Sequence, residues 1–167
     1  MKKLLLSVVL SAPLAVWAAD ATPDSSFYKN AAEAGMAEVD AGTLAGEKAT
    51  DAKIKDFAAM MVKDHTAAND KLKALAATKG VELPSGASMG QKAEYAKLKM
   101  ESGTTFDKSY IKGQVSDHEK VIAMLKKEIA SGQDADAKSF AQTILPTVQS
   151  HLKSAKALAE ANGVSVK

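Results

Sequence analysis

Apolar residues return in alternating steps of three and four positions along most of the chain, which is the period of an amphipathic α-helix. The clearest of these apolar stripes consists of Ile54, Ala58, Met61, His65, Ala68, Leu72 and Leu75. Similar stripes predict four long helices and, between the second and the third, one short amphipathic helix. The predicted helices span residues 26–48, 51–79, 91–101, 105–130 and 135–161.

Capping residues and helix breakers set the ends of these helices. Thr50 is a good N-cap for the second helix, and Gly80 stands where a helix commonly ends in a left-handed residue. Residues 83–90 are rich in Pro, Gly and Ser and read as a linker. Pro146 lies inside the last predicted helix, where it lacks a backbone donor and predicts a kink.

Four polar residues interrupt the apolar stripes, one on each long helix, and three of them are the only histidines in the chain. Each lies about 13 to 15 residues from the start of its helix, which is about 20 Å at ~1.5 Å per residue. Helices of similar length that pack as a bundle share one mid-plane. We therefore expect four side chains to point inward at the same level: Glu38, His65, His118 and His151.

Three imidazoles and one carboxylate suit a single transition-metal ion, such as zinc, iron, manganese or copper. An ion would also relieve the cost of burying these groups unpaired. The alternative is a metal-free layer of hydrogen-bonded Glu and His side chains that fixes the register of the core. Met61, one turn before His65, either packs in the core or softens the site toward copper. Three acids flank the histidines in sequence and are expected to lie in solvent or to support the histidines: Asp64, Asp117 and Glu119.

Composition narrows the class of protein. The 167 residues are rich in alanine and lysine and poor in aromatics and proline, which favours one helical domain. Without cysteine the chain forms neither a disulfide nor a thiolate site. Lysines alternate with acids and arginine is absent, a pattern typical of a solvated helix surface and not of nucleic-acid binding. Neither a nucleophile elbow nor a phosphate-binding glycine loop is present, so no catalytic residue is assigned.

Residues 1–18 have the pattern of a cleaved export signal. Lys2 and Lys3 precede an apolar run that is too short for a transmembrane helix, and small residues around Ala18 suit cleavage, with a second acceptable site just downstream. Loss of the two lysines lowers the formal net charge from +2 to about zero. We therefore expect a periplasmic or secreted protein with no membrane span after cleavage, in which residues 19–25 form a short lead.

Several short segments of the chain match the pattern of a known family. They are Met61 to His65, Phe106 to Tyr110, Asp117 to Glu119, and Leu145-Pro146 followed by His151-Leu152. With these segments the chain resembles the DUF4142 family of exported bacterial helical proteins. The resemblance covers nearly all of residues 26–163 and implies one ferritin-like four-helix bundle domain there. It also implies a long crossover between the second and third long helices, which the linker and the short helix would supply.

A comparison with ferritins bears on the kind of metal centre. Ferritin-like di-iron sites take a Glu three positions before a His from each of two helices. In this sequence the corresponding positions hold valine, at Val62, Val115 and Val148. We therefore expect no di-iron centre, and instead one ion held by Glu38 and the three histidines. Four protein ligands leave no open position, which suits binding more than catalysis.

The sequence leads to one main hypothesis and two alternatives. The main hypothesis is an exported ferritin-like bundle that binds one transition-metal ion, with a role in envelope metal handling or stress and no catalytic turnover. The first alternative is a metal-free structural or stress-related envelope protein. The second is a metal-dependent oxidase or hydrolase, which a solvent channel that reaches the histidines would favour. The sequence does not identify a protein partner.

Overall fold

The computed structural model describes residues 22–166 and places them in five α-helices, with no strand in this part of the chain. The helices are α1 (Ser25–Lys48), α2 (Ala52–Thr78), α3 (Met89–Met100), α4 (Gly103–Ser131) and α5 (Ala135–Ala161). The all-α prediction is confirmed, and every predicted helix is present. The predicted signal lies outside the described residues, so the division into signal, lead and bundle domain stays a prediction. Within residues 22–166 no helix is long and apolar enough to cross a membrane.

The start of α2 corrects one prediction. Asp51, and not Thr50, is the N-cap, because the Asp51 carboxylate accepts a hydrogen bond from the backbone N–H of Lys53 at 2.8 Å. The hydroxyl and the N–H of Thr50 instead donate to the buried carboxylate of Asp107 on α4. Since hydrogen bonds to a carboxylate are stronger than neutral ones, they hold Thr50 toward α4 and leave the capping role to its neighbour.

Two other helix signals in the sequence, Gly80 and Pro146, have different outcomes in the structure. Gly80 follows the end of α2 with a φ of 66°, and the N–H of Val81 donates to the carbonyl of Ala76 at 2.9 Å. This left-handed termination is the one that favours glycine, so the predicted end is confirmed. At Pro146, by contrast, α5 continues without an interruption in its helical assignment.

The four long helices pack as two hairpins, α1 with α2 and α4 with α5. The hairpins associate through α1 against α4 and through α2 against α5. One apolar cluster joins the beginnings of α2 and α4 to the ends of α1 and α5, so α2 and α4 run in the same direction. Residues 79–102 must therefore carry the chain back along the length of the bundle. Helix α3 lies in this crossover and packs against α1 and α4.

Two apolar clusters fill the opposite ends of the bundle. Met61 and Val115 belong to one cluster, and Leu72 and Leu125 belong to the other. On α2 and α4, as on α1 and α5, a buried polar residue lies between the parts that contribute to the two clusters. The middle of the bundle is consequently a polar layer that consists of Glu38, His65, Gln114, His118 and His151.

The buried face of α5 differs from the predicted one. The three-and-four spacing in this segment of the sequence predicts a buried stripe of Phe140, Ile144, Thr147, His151, Ala155 and Leu158. In the structure Phe140 and Ile144 are half-buried and Thr147 is exposed. The buried line consists mainly of small residues, namely Ala137, Ala141, Val148, His151, Ala155 and Ala159. Alanines let α5 approach its neighbours closely, and the larger residues cover the edge of the contact. His151 belongs to the buried line in both descriptions.

Candidate metal centre

The three histidines converge from three helices at the centre of the polar layer. His65 lies on α2, His118 on α4 and His151 on α5, and they are 8%, 1% and 2% exposed. Their ring centroids are 5.4 to 5.7 Å apart. One ring nitrogen from each histidine lies within 4.8 Å of the other two. The structure thus brings the three histidines together at one level, as the sequence predicted.

Neighbouring acceptors fix the tautomer of His118. Its Nδ1 lies 2.8 Å from the carbonyl oxygen of Gln114 and 3.5 Å from Oε1 of Glu38. Because the backbone carbonyl of Gln114 can only accept, the proton belongs on Nδ1 and the lone pair on Nε2. That Nε2 is buried and has no hydrogen-bond partner within the described part of the chain.

The opposite nitrogen is fixed in His151. Its Nε2 lies 3.0 Å from Oδ2 of Asp64, and the carboxylate therefore holds the proton there. The lone pair is on Nδ1, which is buried and has no partner among residues 22–166. Asp64 lies on α2 but supports the histidine of α5. Carboxylates that bind the outer nitrogen of a metal-ligating histidine are a common feature of metal sites, because they orient the ring and raise its basicity.

The Nε2 of His65 is the third buried ring nitrogen without a partner in the described residues. The outer nitrogens of His118 and His151 are engaged by Gln114 and Asp64. Each of the three histidines therefore has one free nitrogen for a shared ligand. We call these three residues the histidine triad.

The fourth predicted residue, Glu38, lies beside the triad but outside it. Its Oε2 accepts a hydrogen bond from Nε2 of Gln114 at 2.6 Å, and its other oxygen faces Nδ1 of His118. This is the nitrogen that points away from a shared ligand. Burial raises the pKa of Glu38 to about 8, although the bond from Gln114 acts in the opposite direction. Glu38 is thus placed to orient His118.

The sequence interpretation missed Gln114. It lies one turn before His118 on α4, is 3% exposed, and contacts both His118 and Glu38. Its position four residues before the histidine was the available signal, because side chains at that spacing lie on the same helix face. The two other acids that flank the histidines in sequence lie at the surface, which is one of the two positions expected for them. Asp117 pairs with Lys120 and Glu119 with Lys156 on the surface.

The surroundings of His65 and His118 keep these two rings neutral. Burial, followed by the nearby His118 and His151, lowers the pKa of His65 to about 3. Burial is also the main cause that lowers the pKa of His118 to about 4. Both rings are therefore uncharged near pH 7, which is the form that binds a metal ion.

The dimensions of the triad approach those of a metal site. Zinc–imidazole bonds are about 2.0–2.1 Å long, so three nitrogens on one ion lie about 3.3–3.6 Å apart. Their separation of up to 4.8 Å in the structure requires an inward movement of little more than about 1 Å. Small rotations of the rings would supply it. The residues present thus fit a single ion. The second alternative, an oxidase or hydrolase, required a solvent channel that reaches the histidines, and it has less support. A groove between α1, α3 and α4 reaches Glu38 and Gln114, but its lining includes no histidine.

The chain belongs to the DUF4142 family. The family, described as a domain of unknown function, matches residues 11–158. The resemblance inferred from the sequence segments is therefore confirmed. No curated protein is significantly similar to the chain.

Several solved structures share the fold. A DUF305 protein from Streptomyces coelicolor, provisionally described as secreted, has a TM-score of 0.72 at 15% identity, over 86% of this chain and 96% of that one. A DUF305 fragment from Deinococcus radiodurans has a TM-score of 0.72 at 12% identity, over 82% and 95%. CopM in its Cu(I)-bound form has a TM-score of 0.69 at 16% identity, over 83% and 96%. At such low identities these similarities define the fold alone.

Proposed function

We propose that this protein binds one transition-metal ion through His65, His118 and His151. The observation that carries the proposal is the set of three buried imidazole nitrogens that lie together without hydrogen-bond partners in the described residues. The lone pairs of His118 and His151 have no donor in the described residues, and unsatisfied buried polar atoms are costly. A cation at their centre satisfies all three at once.

The donor set favours copper or zinc over manganese. Neutral imidazoles suit zinc, copper and iron, whereas manganese prefers carboxylate and water oxygens, and Glu38 faces away from the shared centre. A small, buried, three-coordinate site also suits Cu(I). The similarity to a protein whose structure holds Cu(I) supports this choice. Met61, one turn from His65, is fully buried in an apolar cluster, and we assign it to core packing.

Glu38 and Asp64 act in this proposal as positioning residues and not as ligands. Glu38 with Gln114 orients His118, and Asp64 orients His151. The ion thus binds to rings that are already turned toward it, which reduces the ordering that binding requires.

The wider setting is a ferritin-like bundle exported to the periplasm or secreted, with a role in envelope metal handling. Two parallel helices joined by a long crossover support the ferritin-like description. The sequence pattern of residues 1–18 supports export. A neighbour in fold that is provisionally described as secreted is consistent with it.

The test is elemental analysis of the mature protein, prepared without a chelator or a histidine tag. We expect near one equivalent of a single metal, and its loss in the His65→Gln, His118→Gln double variant. Glu119→Gln is the matched control, since Glu119 adjoins His118 in sequence but pairs with Lys156 at the surface. A metal-free protein that also gains no thermal stability from Cu(I) or Zn(II) would overturn the proposal and favour the metal-free polar layer.

A further inference from the structure

A groove of about 770 Å³ lies between α1, α3 and α4, on the outer side of the polar layer. This volume is within the range of about 300–1,000 Å³ that is usual for small-molecule sites. Its walls are largely aliphatic and include Ala34, Ala37, Leu98, Val121 and Met124. The metal proposal makes no use of this groove, so its purpose is a separate question.

Two deeply buried polar side chains line the groove. Tyr110 and Gln114 lie one turn apart on α4 and are 1% and 3% exposed. The Tyr110 ring packs against Phe57 and Phe106, but its hydroxyl has no hydrogen-bond partner within residues 22–166. The same is true of Oε1 of Gln114. Unpartnered buried polar atoms are uncommon in native proteins, and a bound molecule would account for both.

The charges around the groove limit what can bind there. Its lining includes five lysines and five acidic residues, so neither sign dominates. The five lysines are all exposed, so an anion at depth would have no positive partner and would lose its hydration there. A free cation would exchange its hydration for largely aliphatic walls, which is costly. An uncharged ligand meets neither cost.

Helix α3 is suited to cover such a ligand. None of its side chains is fully buried, although Tyr95 and Leu98 pack against the core, so α3 is held less firmly than the four long helices. It is nevertheless a defined helix, because Ser88 and Gln91 form a reciprocal capping box at its start. The helix can therefore shift as a unit to admit a molecule without losing its own hydrogen bonds.

We propose that the groove under α3 binds an uncharged organic molecule with an apolar body and an O–H or N–H donor at one end. The apolar body lies against the aliphatic walls. With α3 shifted, the donor end reaches the Gln114 amide oxygen and the Tyr110 hydroxyl, both of which are closed to solvent in the structure. The hydroxyl is also able to donate in return. The site is distinct from the histidine triad and does not require a metal.

Three naphthalenes of similar size test the proposal by calorimetry on the mature, full-length protein. Naphthalen-2-ylmethanol carries an O–H donor, 2-naphthamide carries N–H donors, and 2-methylnaphthalene carries neither. We expect at least one of the first two to bind about tenfold more tightly than 2-methylnaphthalene, because one net hydrogen bond contributes about 1 kcal/mol. The stronger of the two identifies the donor type. Equal binding of all three, or binding of none, would overturn the proposal.

Variants locate the binding to the groove. Gly113 lines it, and a Cβ at this position would meet only open space, so Gly113→Phe should fill the groove and abolish binding of the donor compound. Gly46→Phe is the matched control, because Gly46 is also helical and open but lies outside the groove. Tyr110→Phe keeps the ring and should reduce the tenfold preference for a donor. Unchanged binding in Gly113→Phe would contradict the proposed location.

Folding and metal binding are controlled separately. Ala37→Phe fills the groove from α1 and replaces Gly113→Phe if the latter has a lowered melting temperature. Metal content should be the same in Gly113→Phe and in the unmodified protein. A variant that loses ligand binding but retains the metal thus shows that the ligand binds in the groove. Because the two sites are separate, a failure of the metal proposal leaves this test unaffected.

Discussion

The bundle contains two buried polar clusters, which differ in how their buried polar atoms obtain hydrogen-bond partners. At one end, the Asp134 carboxylate accepts hydrogen bonds from the Tyr28 hydroxyl, from Lys79 Nζ and from the backbone N–H of Asp136, each at 2.9 Å. In the middle, the hydrogen bonds of the histidine triad are those to the outer nitrogens of His118 and His151. The inner nitrogens face one another without a donor from the described residues.

The difference separates a structural cluster from a binding site. The Asp134 carboxylate is met by donors from the protein's own side chains and backbone. In the triad the outer nitrogens of His118 and His151 have partners, whereas one buried nitrogen of each of the three rings has none in the described residues. Buried networks are stabilising when complete and costly when incomplete. The comparison therefore predicts that an external cation changes the stability of the triad and leaves the Asp134 cluster unaffected.

The largest expected effect is that of the metal on folding stability. At a free metal concentration a thousandfold above Kd, one site stabilises the folded state by about 4 kcal/mol. We expect this gain in the unmodified protein and its absence in His118→Gln. Chemical unfolding with and without metal measures it. A His118→Gln variant that still gains the full amount would mean that the metal binds elsewhere.

The pH dependence of the metal-free protein should reveal the neutral histidines. The pKa of His65 is lowered to about 3 and that of His118 to about 4, from an ordinary value of about 6.5. Their contribution to stability is therefore complete above pH 6.5 and is lost as the pH falls toward 3 to 4. Glu38 acts in the opposite direction, because its pKa is raised to about 8. Its contribution is complete below about pH 4.5 and is lost as the pH rises through 8.

The Glu38→Gln variant separates the two contributions. Without the opposing carboxyl, its stability should fall by at least about 2 kcal/mol between pH 7 and pH 5, more steeply than in the unmodified protein. Urea unfolding at a series of pH values, in metal-free buffer, measures both slopes. A slope in Glu38→Gln that is equal to or shallower than the original would contradict this account of the layer.

Truncation of the structural cluster should have a smaller effect that is independent of metal. Asp134→Ala leaves the buried Tyr28 hydroxyl without its acceptor and should reduce the free energy of unfolding by about 2 kcal/mol. The reduction should be the same with and without metal, because the cluster lies at the end of the bundle. Thermal unfolding in both conditions measures it. A metal-dependent reduction would mean that the two clusters are coupled.

The smallest effect on the stability of the metal-free protein should come from Asp64, which supports the triad without binding the ion. Asp64→Asn keeps the shape but removes the charge that holds His151, and loss of such a support typically lowers metal affinity about 10- to 100-fold. The stability of the metal-free protein should change little, since Asp64 is partly exposed. Competition with a chromophoric chelator measures the affinity. Asp117→Asn is the control, because Asp117 pairs with Lys120 at the surface.

The sequence predicted the positions along the helices better than the contacts between them. The three-and-four spacing identified His65, His118 and His151 as inward, and their similar distance from the helix ends placed them at one level. It could not show which nitrogen of each ring faces inward, because that depends on acceptors from other residues. The reach of Asp64 from α2 to His151 on α5 likewise depends on which helices are neighbours.

Glu38 illustrates the same limit. Its place on an apolar stripe predicted its burial, which is 4% exposure in the structure. Its role depends on the direction of a flexible side chain, and that direction is set by Gln114 on another helix. The buried line of α5 was also hard to predict, because a hydrophobicity pattern favours Phe140 over Ala141, whereas close helix packing favours the alanine.

X-ray absorption spectroscopy of the protein loaded with one equivalent of zinc tests the central claim most directly. It counts imidazole ligands and measures their distance from the ion. We predict three imidazoles at about 2.0–2.1 Å, two in the His118→Gln variant, and an unchanged three in Glu38→Gln. A spectrum with fewer than two imidazoles, or one that His118→Gln leaves unaltered, would contradict the assignment of the triad as the metal site.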